Sequence, residues 1–330
     1  MSRDGRRPAL PRERGVALLT AILLVALGTI LATAMGYQTA MTARRGQGDF
    51  AMDQSILVAE AGEAIAGYAL RESRAGNQNA GDAPNQPWAM PYGPVEVTSG
   101  ITLEAWLEDM QGRFNLNNLV TDAGVADPNA VQAFRNLLQI VGLEPKWADL
   151  LADWIDEDTV VDGPDGAEDS TYLSQIPPYR AADRQITSTS ALLALPGFGP
   201  DRYARIAPYV AALPRGSTPT PINLCTASGV VLDALVPTGE RQYSTIDPKQ
   251  LAEQRANGCF PTVQVYQQPF ANDRQYANSL GMKGVGTTSD YFRLTSIVSI
   301  GSTQFYLYSL LHREQNGSRV RVIQRSFTAA

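Results

Sequence analysis

Chemistry in this chain is concentrated in one acidic run. Asp153, Asp156, Glu157, Asp158, Asp162, Asp165, Glu168 and Asp169 place eight carboxylates within 17 residues, and no Lys or Arg occurs between Lys146 and Arg180. Such crowding repels itself unless a cation neutralises it, and hard carboxylate oxygens at this density suit Ca²⁺. The run is not an EF-hand: counting from Asp158, Asp162, Gly163 and Asp169 fall at loop positions 5, 6 and 12, but position 3 is Val160. The plainer reading is a solvated acidic loop that caps helix ends. Elsewhere the chemistry is sparse. His312 is the lone histidine, without a partner for metal or catalysis, and is expected at the surface near a hairpin end. The two cysteines, Cys225 and Cys259, form no CxxC, which argues against a zinc cluster. If the bulk of the chain is exported, one disulfide between them is the economical arrangement, with two buried free thiols the alternative. No GxSxG, HExxH, Walker or Gly-rich dinucleotide pattern appears. An enzyme would have to find its paired carboxylates inside the crowded loop.

The acidic run must be held by what flanks it, and the flanks read as helices. Asp127-Pro128 has the form of an N-cap followed by proline at the first helical position. Ala130, Val131, Phe134, Leu137, Leu138 and Val141 then follow on one apolar face. A second helix is expected after Pro145, with Trp147, Leu150, Leu151, Trp154 and Ile155 on one side. Beyond an extended, proline-bearing connection, Ser188-Thr189-Ser190 can cap a helix over Ala191 to Leu195. Pro196-Gly-Phe-Gly-Pro200 and a helix through Tyr203, Ile206, Tyr209 and Val210 follow. That helix, Gly-x-Gly, helix order resembles a helix-hairpin-helix, whose glycine turn approaches DNA phosphate. DNA contact needs flanking cations, and only Arg202 and Arg205 are near, in a chain of net charge −6. A SAM-like packing or interaction module is the stronger reading. With Pro221 to Ser228 and a helix over Val230 to Leu235, these elements make an all-α insertion at residues 120–238.

Strands lie on either side of the insertion. Ile101 to Leu107 alternates apolar and polar residues, then leads through a Gly112 turn into asparagines suited to bonding backbone. Residues 77–94, rich in Asn, Gly and Pro, are expected as loop, and residues 267–289 as irregular. Tyr291 to Ile300, Gln304 to Arg313 and Arg319 to Phe327 read as a three-stranded meander, with Asn316-Gly317 as a hairpin turn. At 330 residues the chain is long enough for two or three domains, and its 44% apolar content is enough for real cores.

Val16 to Met35 is uncharged over twenty residues; as a helix at ~1.5 Å per residue it spans ~30 Å, the hydrocarbon thickness of a bilayer. Ahead of it Arg3, Arg6, Arg7, Arg12 and Arg14 face only Asp4 and Glu13, which fits a basic cytoplasmic side with the acidic bulk translocated. The apolar run is longer than that of a secretory signal, and the small residue, Gly15, precedes it. No proline interrupts Gly15 to Arg74, so one long helix is expected, amphipathic after Met35.

This order resembles the type IV prepilin family: a basic leader (1–15), Gly15 before the cut, then an apolar helix from Val16. The plainer alternative is an uncleaved signal anchor. By the resemblance a prepilin peptidase cuts after Gly15 and the new amine on Val16 is methylated. Prepilins usually carry Glu at mature position 5, where this chain has Thr20. That departure, the stretch Gln111-Gly-Arg-Phe-Asn-Leu-Asn-Asn-Leu119, and a WxDxD…GAED pattern (Trp154 to Asp158, Gly166 to Asp169) resemble the K class of type II secretion minor pseudopilins. The resemblance implies an α+β fold. A long N-terminal helix, transmembrane over 16–36, packs on an antiparallel pilin-like sheet built from 37–119 and 239–330, with the all-α SAM-like insertion between. It implies a structural Ca²⁺ on Asp158, Asp162, Glu168 and Asp169, with Asp156 and Asp165 next. It also implies I- and J-class minor pseudopilins and other filament subunits as partners. The place implied is the bacterial inner membrane, single-pass, with the soluble domain in the periplasm, and the role is at the tip of the secretion pseudopilus. The other readings are a membrane-anchored Ca²⁺-dependent periplasmic enzyme and a pilin-like DNA-uptake component.

Overall fold

A computed structural model describes residues 14–76, 81–236, 243, 249, 251, 253, 255, 258–270, 276–314, 317 and 319–328. Most of the basic leader, and most of residues 237–257, lie outside it, as does Asn316 of the expected Asn-Gly turn. The chain divides into two compact units, Met1–Ile56 and Leu57–Ala330.

Helix α1 (Arg14–Gly76) is unbroken over 63 residues. Within the first unit, the apolar side chains from Val16 to Met35 are exposed, and among the described residues this is the one helix long and apolar enough to cross a membrane. Its threonines spend their hydroxyls inside the helix: Thr20 donates to the carbonyl of Ala17 at 3.0 Å, and Thr33 to that of Thr29 at 2.7 Å. A hydroxyl satisfied this way is tolerated in hydrocarbon.

In the second unit a five-stranded antiparallel sheet is ordered β1-β2-β7-β8-β9. Strands β1 (Tyr92–Thr98) and β2 (Ile101–Asp109) precede the insertion; β7 (Tyr291–Ile300), β8 (Thr303–Arg313) and β9 (Val320–Ser326) follow it. In β2 every odd residue from Ile101 to Asp109 is buried, the alternation expected of a strand with one face on a core. Ala59, Ala66 and Leu70 of α1 pack there against Leu103, Phe292, Leu294, Val298 and Leu307. Glu63 fixes the register: it accepts from Ser309 at 2.6 Å and pairs with Arg325 at 2.7 Å. Strand β1 arises in what the sequence marks partly as loop. It carries Pro94 and is exposed at every position, so alternation gives no sign of it.

Between β2 and β7 the chain builds a second, larger core. Helices α2 (Pro128–Ile140), α3 (Trp147–Ile155), α4 (Asp169–Tyr172), α5 (Gly199–Ile206) and α6 (Gly229–Ala234) follow in order. Asp127 caps α2 as expected, accepting from the amides of Asn129 and Ala130. Over Ala191 to Leu195 the structure has a 3₁₀ turn, Thr189–Ala194, capped by Ser188. The insertion does not close at residue 238. Tyr243, Phe260, Tyr266, Phe270, Tyr276 and Leu280 join its core: the rings pack on one another, and the Tyr266 hydroxyl donates to the Leu232 carbonyl of α6 at 2.9 Å. The chain returns to the sheet only at Tyr291.

Short parallel pairings splice the insertion to its host: β3 (Phe114–Asn115) with β4 (Val210–Ala211), and β5 (Ile222–Asn223) with β6 (Val285–Gly286). The Asn115-Leu-Asn-Asn118 run does the stitching. Asn117 donates to the carbonyls of Ile186 and Leu213 and accepts from the amide of Ile186, and Asn118 exchanges two hydrogen bonds with Thr220. A second knot joins both parts: fully buried Arg313 pairs with Asp82 at 2.5 Å, while Asp109 accepts from Thr226, Ser289 and Asn223. Cys225 and Cys259 form a disulfide across 34 residues, a loop whose closure is worth ~4 kcal/mol.

Candidate functional site

The carboxylates gather at the C-terminal end of α3. That helix buries Trp147, Ala148, Leu151, Ala152 and Ile155, and in doing so carries Asp153 and the following Asp156 inward until both are fully buried. The loop after them turns back over this end. The amide of Asp162 donates to both oxygens of Asp153 at 3.2 and 3.3 Å, and that of Val160 donates to Asp158 at 2.7 Å. Gly163 sits at φ +78°, a conformation that suits glycine, and a Cβ on Gly166 would fall on the Asp153 carboxylate and the Asp162 carbonyl. From the other side comes Glu168, the buried residue at the N-cap position of α4. Trp154 packs edge-on against Tyr172 at 4.9 Å between ring centres, closing the floor.

Two overlapping groups result: Asp153, Asp156 and Asp162; and Asp156, Asp158 and Glu168, each with one oxygen per residue lying within 4.8 Å of the others. Both oxygens of Asp156, Oε1 of Glu168 and the Tyr172 hydroxyl are buried without a hydrogen-bond partner. A lone buried charge of this kind is among the costliest arrangements in a folded protein. Burial pushes the Asp156 carboxyl up to about 7, helped by repulsion from Asp153 and Asp158. Asp153 is likewise pushed to about 7 by burial, against the Asp162 amide that favours its charge. Glu168 is raised by burial, then by Asp183 and Asp158. Orphaned oxygens of Asp156 and Glu168 within one such group, all of them hard donors, fit a divalent cation such as Ca²⁺.

Of the residues marked from sequence, Asp158, Asp162, Glu168 and Asp156 come together. Asp169 is directed elsewhere: it pairs with Arg180 at 2.8 Å and accepts from the Ala181 amide at 3.1 Å. Asp165 is exposed and belongs to neither group. Asp153 is the residue that sequence reasoning missed. Its signal was its place in Trp147–Ile155, one residue before Trp154 on a helix whose last turn is wholly buried.

The remaining marked positions are placed as follows. Gly15, Val16 and Thr20 lie in the first two turns of α1. His312, expected at the surface, is half-buried and stacks on Tyr291 at 4.8 Å, and burial lowers its pKa. In the Gly197–Gly199 hairpin, Arg202 donates to the carbonyls of Gly197 and Phe198 and lies 5.5 Å over the Trp147 ring. Its charge is spent inside the module, where a phosphate binder would aim it outward.

Comparison with known proteins bears on the whole chain. Residues 112–215 match the family model for protein K of the type II secretion system. Type II secretion system protein K of Pseudomonas aeruginosa is 33% identical over 95% of this chain and 92% of its own length. The protein of the same name from Klebsiella pneumoniae is 30% identical over 96% and 97%. Among solved structures, a chain in the crystal structure of the GspK-GspI-GspJ complex from the enterotoxigenic Escherichia coli type 2 secretion system superposes with a TM-score of 0.72 at 26% identity. That match covers 87% of this chain and all of that one. Relatedness at this level over nearly the full length makes this chain a member of the type II secretion system protein K family.

Proposed function

We propose that the chain is the minor pseudopilin at the tip of a type II secretion pseudopilus, where it nucleates or caps the filament that assists export of folded proteins across the outer membrane. The observation that carries this reading is the full-coverage likeness to a chain of the GspK-GspI-GspJ complex. The partners are accordingly minor pseudopilins of the I and J classes. A prepilin peptidase cuts after Gly15, the Val16 amine is methylated, and the helix from Val16 anchors the subunit in the inner membrane with the globular part in the periplasm. An unbroken apolar helix supports the anchor. Thr20, with its hydroxyl already bonded, supports the terminal position, since it needs no amine from a subunit ahead. Co-expression with I- and J-class subunits tests the reading: the three are expected to purify together in equal amounts, and a chain that leaves both partners behind defeats it.

The acidic pocket holds a structural Ca²⁺. Asp153, Asp156, Asp158, Asp162 and Glu168 would hold the ion, which supplies the positive charge that the orphaned oxygens lack. At a hundredfold excess over Kd the ion stabilises the fold by ~2.7 kcal/mol. Thermal melting with Ca²⁺ and with chelator reads this directly, and an unchanged Tm reduces the run to a solvated loop.

A further inference from the structure

The uncharged run at the start of α1 does not end with its most apolar stretch. After Met35 the next charged side chain is Arg44, followed at once by Arg45, so Val16 to Ala43 is 28 residues without a charge. The threonines near its end keep their hydroxyls inside the helix. Thr39 donates to the Met35 carbonyl at 2.8 Å and Thr42 to that of Gln38 at 2.9 Å. Arg44 and Arg45 are both exposed. Neither has an ion-pair partner among the described residues, although Asp49 stands four residues beyond Arg45 on the same helix. The next cation along the chain is Arg71.

Helix rise turns these positions into depths. With Val16 at one edge of a hydrocarbon core ~30 Å thick, Tyr37 lies ~32 Å along the axis, at the opposite edge, where amphipathic rings collect. Tyr37 is 68% exposed, as a ring at that boundary must be. Arg44 lies ~42 Å along, and its side chain leans back towards the helix N-terminus by about one turn, to ~37 Å. The headgroup layer beyond the core ends at ~35–37 Å on the same scale, and a tilt of ~20° brings the arginines a few Å nearer to it. Both guanidinium groups therefore fall at the level of the lipid phosphates, which they match in charge and in bidentate geometry. The phosphates supply the counter-charge that Asp49 does not.

Resting on the membrane-anchor reading above, we propose that Arg44 and Arg45 grip lipid headgroup phosphates at the periplasmic face of the bilayer. On the same reading, removal of the leader takes away Arg14 and the arginines before it. Arg44 and Arg45 are then the only cationic side chains flanking the apolar span. The mature subunit is held at the face through which it must leave for the filament, and no longer at the other.

The full chain, with isotope-labelled guanidinium carbons on its arginines, is reconstituted in vesicles of phosphatidylcholine and phosphatidylglycerol. Solid-state NMR reads the dephasing of those carbons by lipid phosphorus, and flotation of the same vesicles reads the anchor. Leader arginines contribute equally to the parent and to the double variant Arg44→Gln/Arg45→Gln, so the difference between the two reports the pair. The parent is expected to exceed the double variant by the dephased signal of two arginines, with flotation and Tm the same in both. Equal dephasing in a parent and variant that both float overturns the phosphate contact and leaves the anchor standing. If the parent does not float with the vesicles, the anchor reading itself has failed and takes the proposal with it. Loss of the I- and J-class partners by the double variant, with dephasing equal to the parent's, assigns the pair to a protein and overturns the proposal.

Discussion

Asp156 is the residue on which the acidic pocket turns, because it belongs to both groups of carboxylates and neither of its oxygens has a partner. Replacing it by Asn removes a charge that costs stability without the ion and earns affinity with it. Asp156→Asn is therefore expected to raise the Tm of the metal-free protein at pH 7 while lowering Ca²⁺ affinity by on the order of a hundredfold in calorimetry. Asp169→Asn, by contrast, breaks an ion pair with a largely exposed Arg180 and should change Ca²⁺ affinity by less than about threefold. A reversed order would mean that Asp169 is the ligand. The pH dependence follows from the same burial. Asp153 and Asp156 hold protons up to about 7 in the fold, against an ordinary aspartate value of 3.8. Between these values the folded state binds more protons than the unfolded one. Their contribution to metal-free stability is thus full below about 4 and is lost as pH rises through about 7. Ca²⁺ needs the deprotonated forms, so its affinity should climb over the upper part of that window. Melting curves from pH 4 to pH 8, with and without the ion, should converge at the acid end and separate at neutral pH.

At the scale of elements, the host sheet and the insertion are held as one unit by polar knots, and their cost of failure can be stated. Arg313 is fully buried on β8 and relies on Asp82 for its counter-charge, with carbonyls of Leu70 and Ser289 as further acceptors. Asp82→Ala strands that guanidinium, and a loss of about 3–5 kcal/mol in urea unfolding is expected; a loss below about 1 kcal/mol would mean that the remaining acceptors suffice. None of this knot was legible in the sequence. Its members are single polar residues more than two hundred positions apart at the extreme, each unremarkable where it stands. What was legible had a period or a cap: the β7–β9 meander, the alternation of β2, the Asp127-Pro128 start of α2. Strand β1 had neither, since every residue faces solvent and Pro94 interrupts it. The aromatic segment from Tyr243 to Tyr276 hid for the opposite reason. Its rings are too irregularly spaced for a helix face, and only their mutual stacking reveals that they extend the insertion's core. In the acidic run, density drew attention to the loop whose carboxylates gather, but it could not separate Asp153, buried by the helix behind it, from Asp165, which the loop leaves in solvent.

For the molecule as a whole, the tip position proposed above turns on the first turns of α1. Position 20 is five residues beyond Gly15, in a stretch whose side chains are exposed and whose surroundings in a membrane are hydrocarbon. Thr20 suits that setting because its hydroxyl donates to the carbonyl of Ala17 and asks nothing of a neighbour. A glutamate there would be costly, though by less than the roughly 2.5–3.5 kcal/mol of a charge at the centre of a membrane-spanning helix, unless it meets a cation. On the prepilin resemblance, that cation would be the terminal amine of a neighbouring subunit. A tip subunit has none ahead. Thr20→Glu is therefore expected to lower secretion of a reporter exoprotein and the yield of the complex with I- and J-class partners by about tenfold or more, with leader removal after Gly15 unaffected in mass spectra of the mature chain. Gly15→Leu should do the reverse, blocking removal of the leader while leaving the globular fold and its melting unchanged. If the Thr20→Glu protein assembled and secreted like the parent, an amine would have to lie within reach of position 20, and the subunit would have another standing above it.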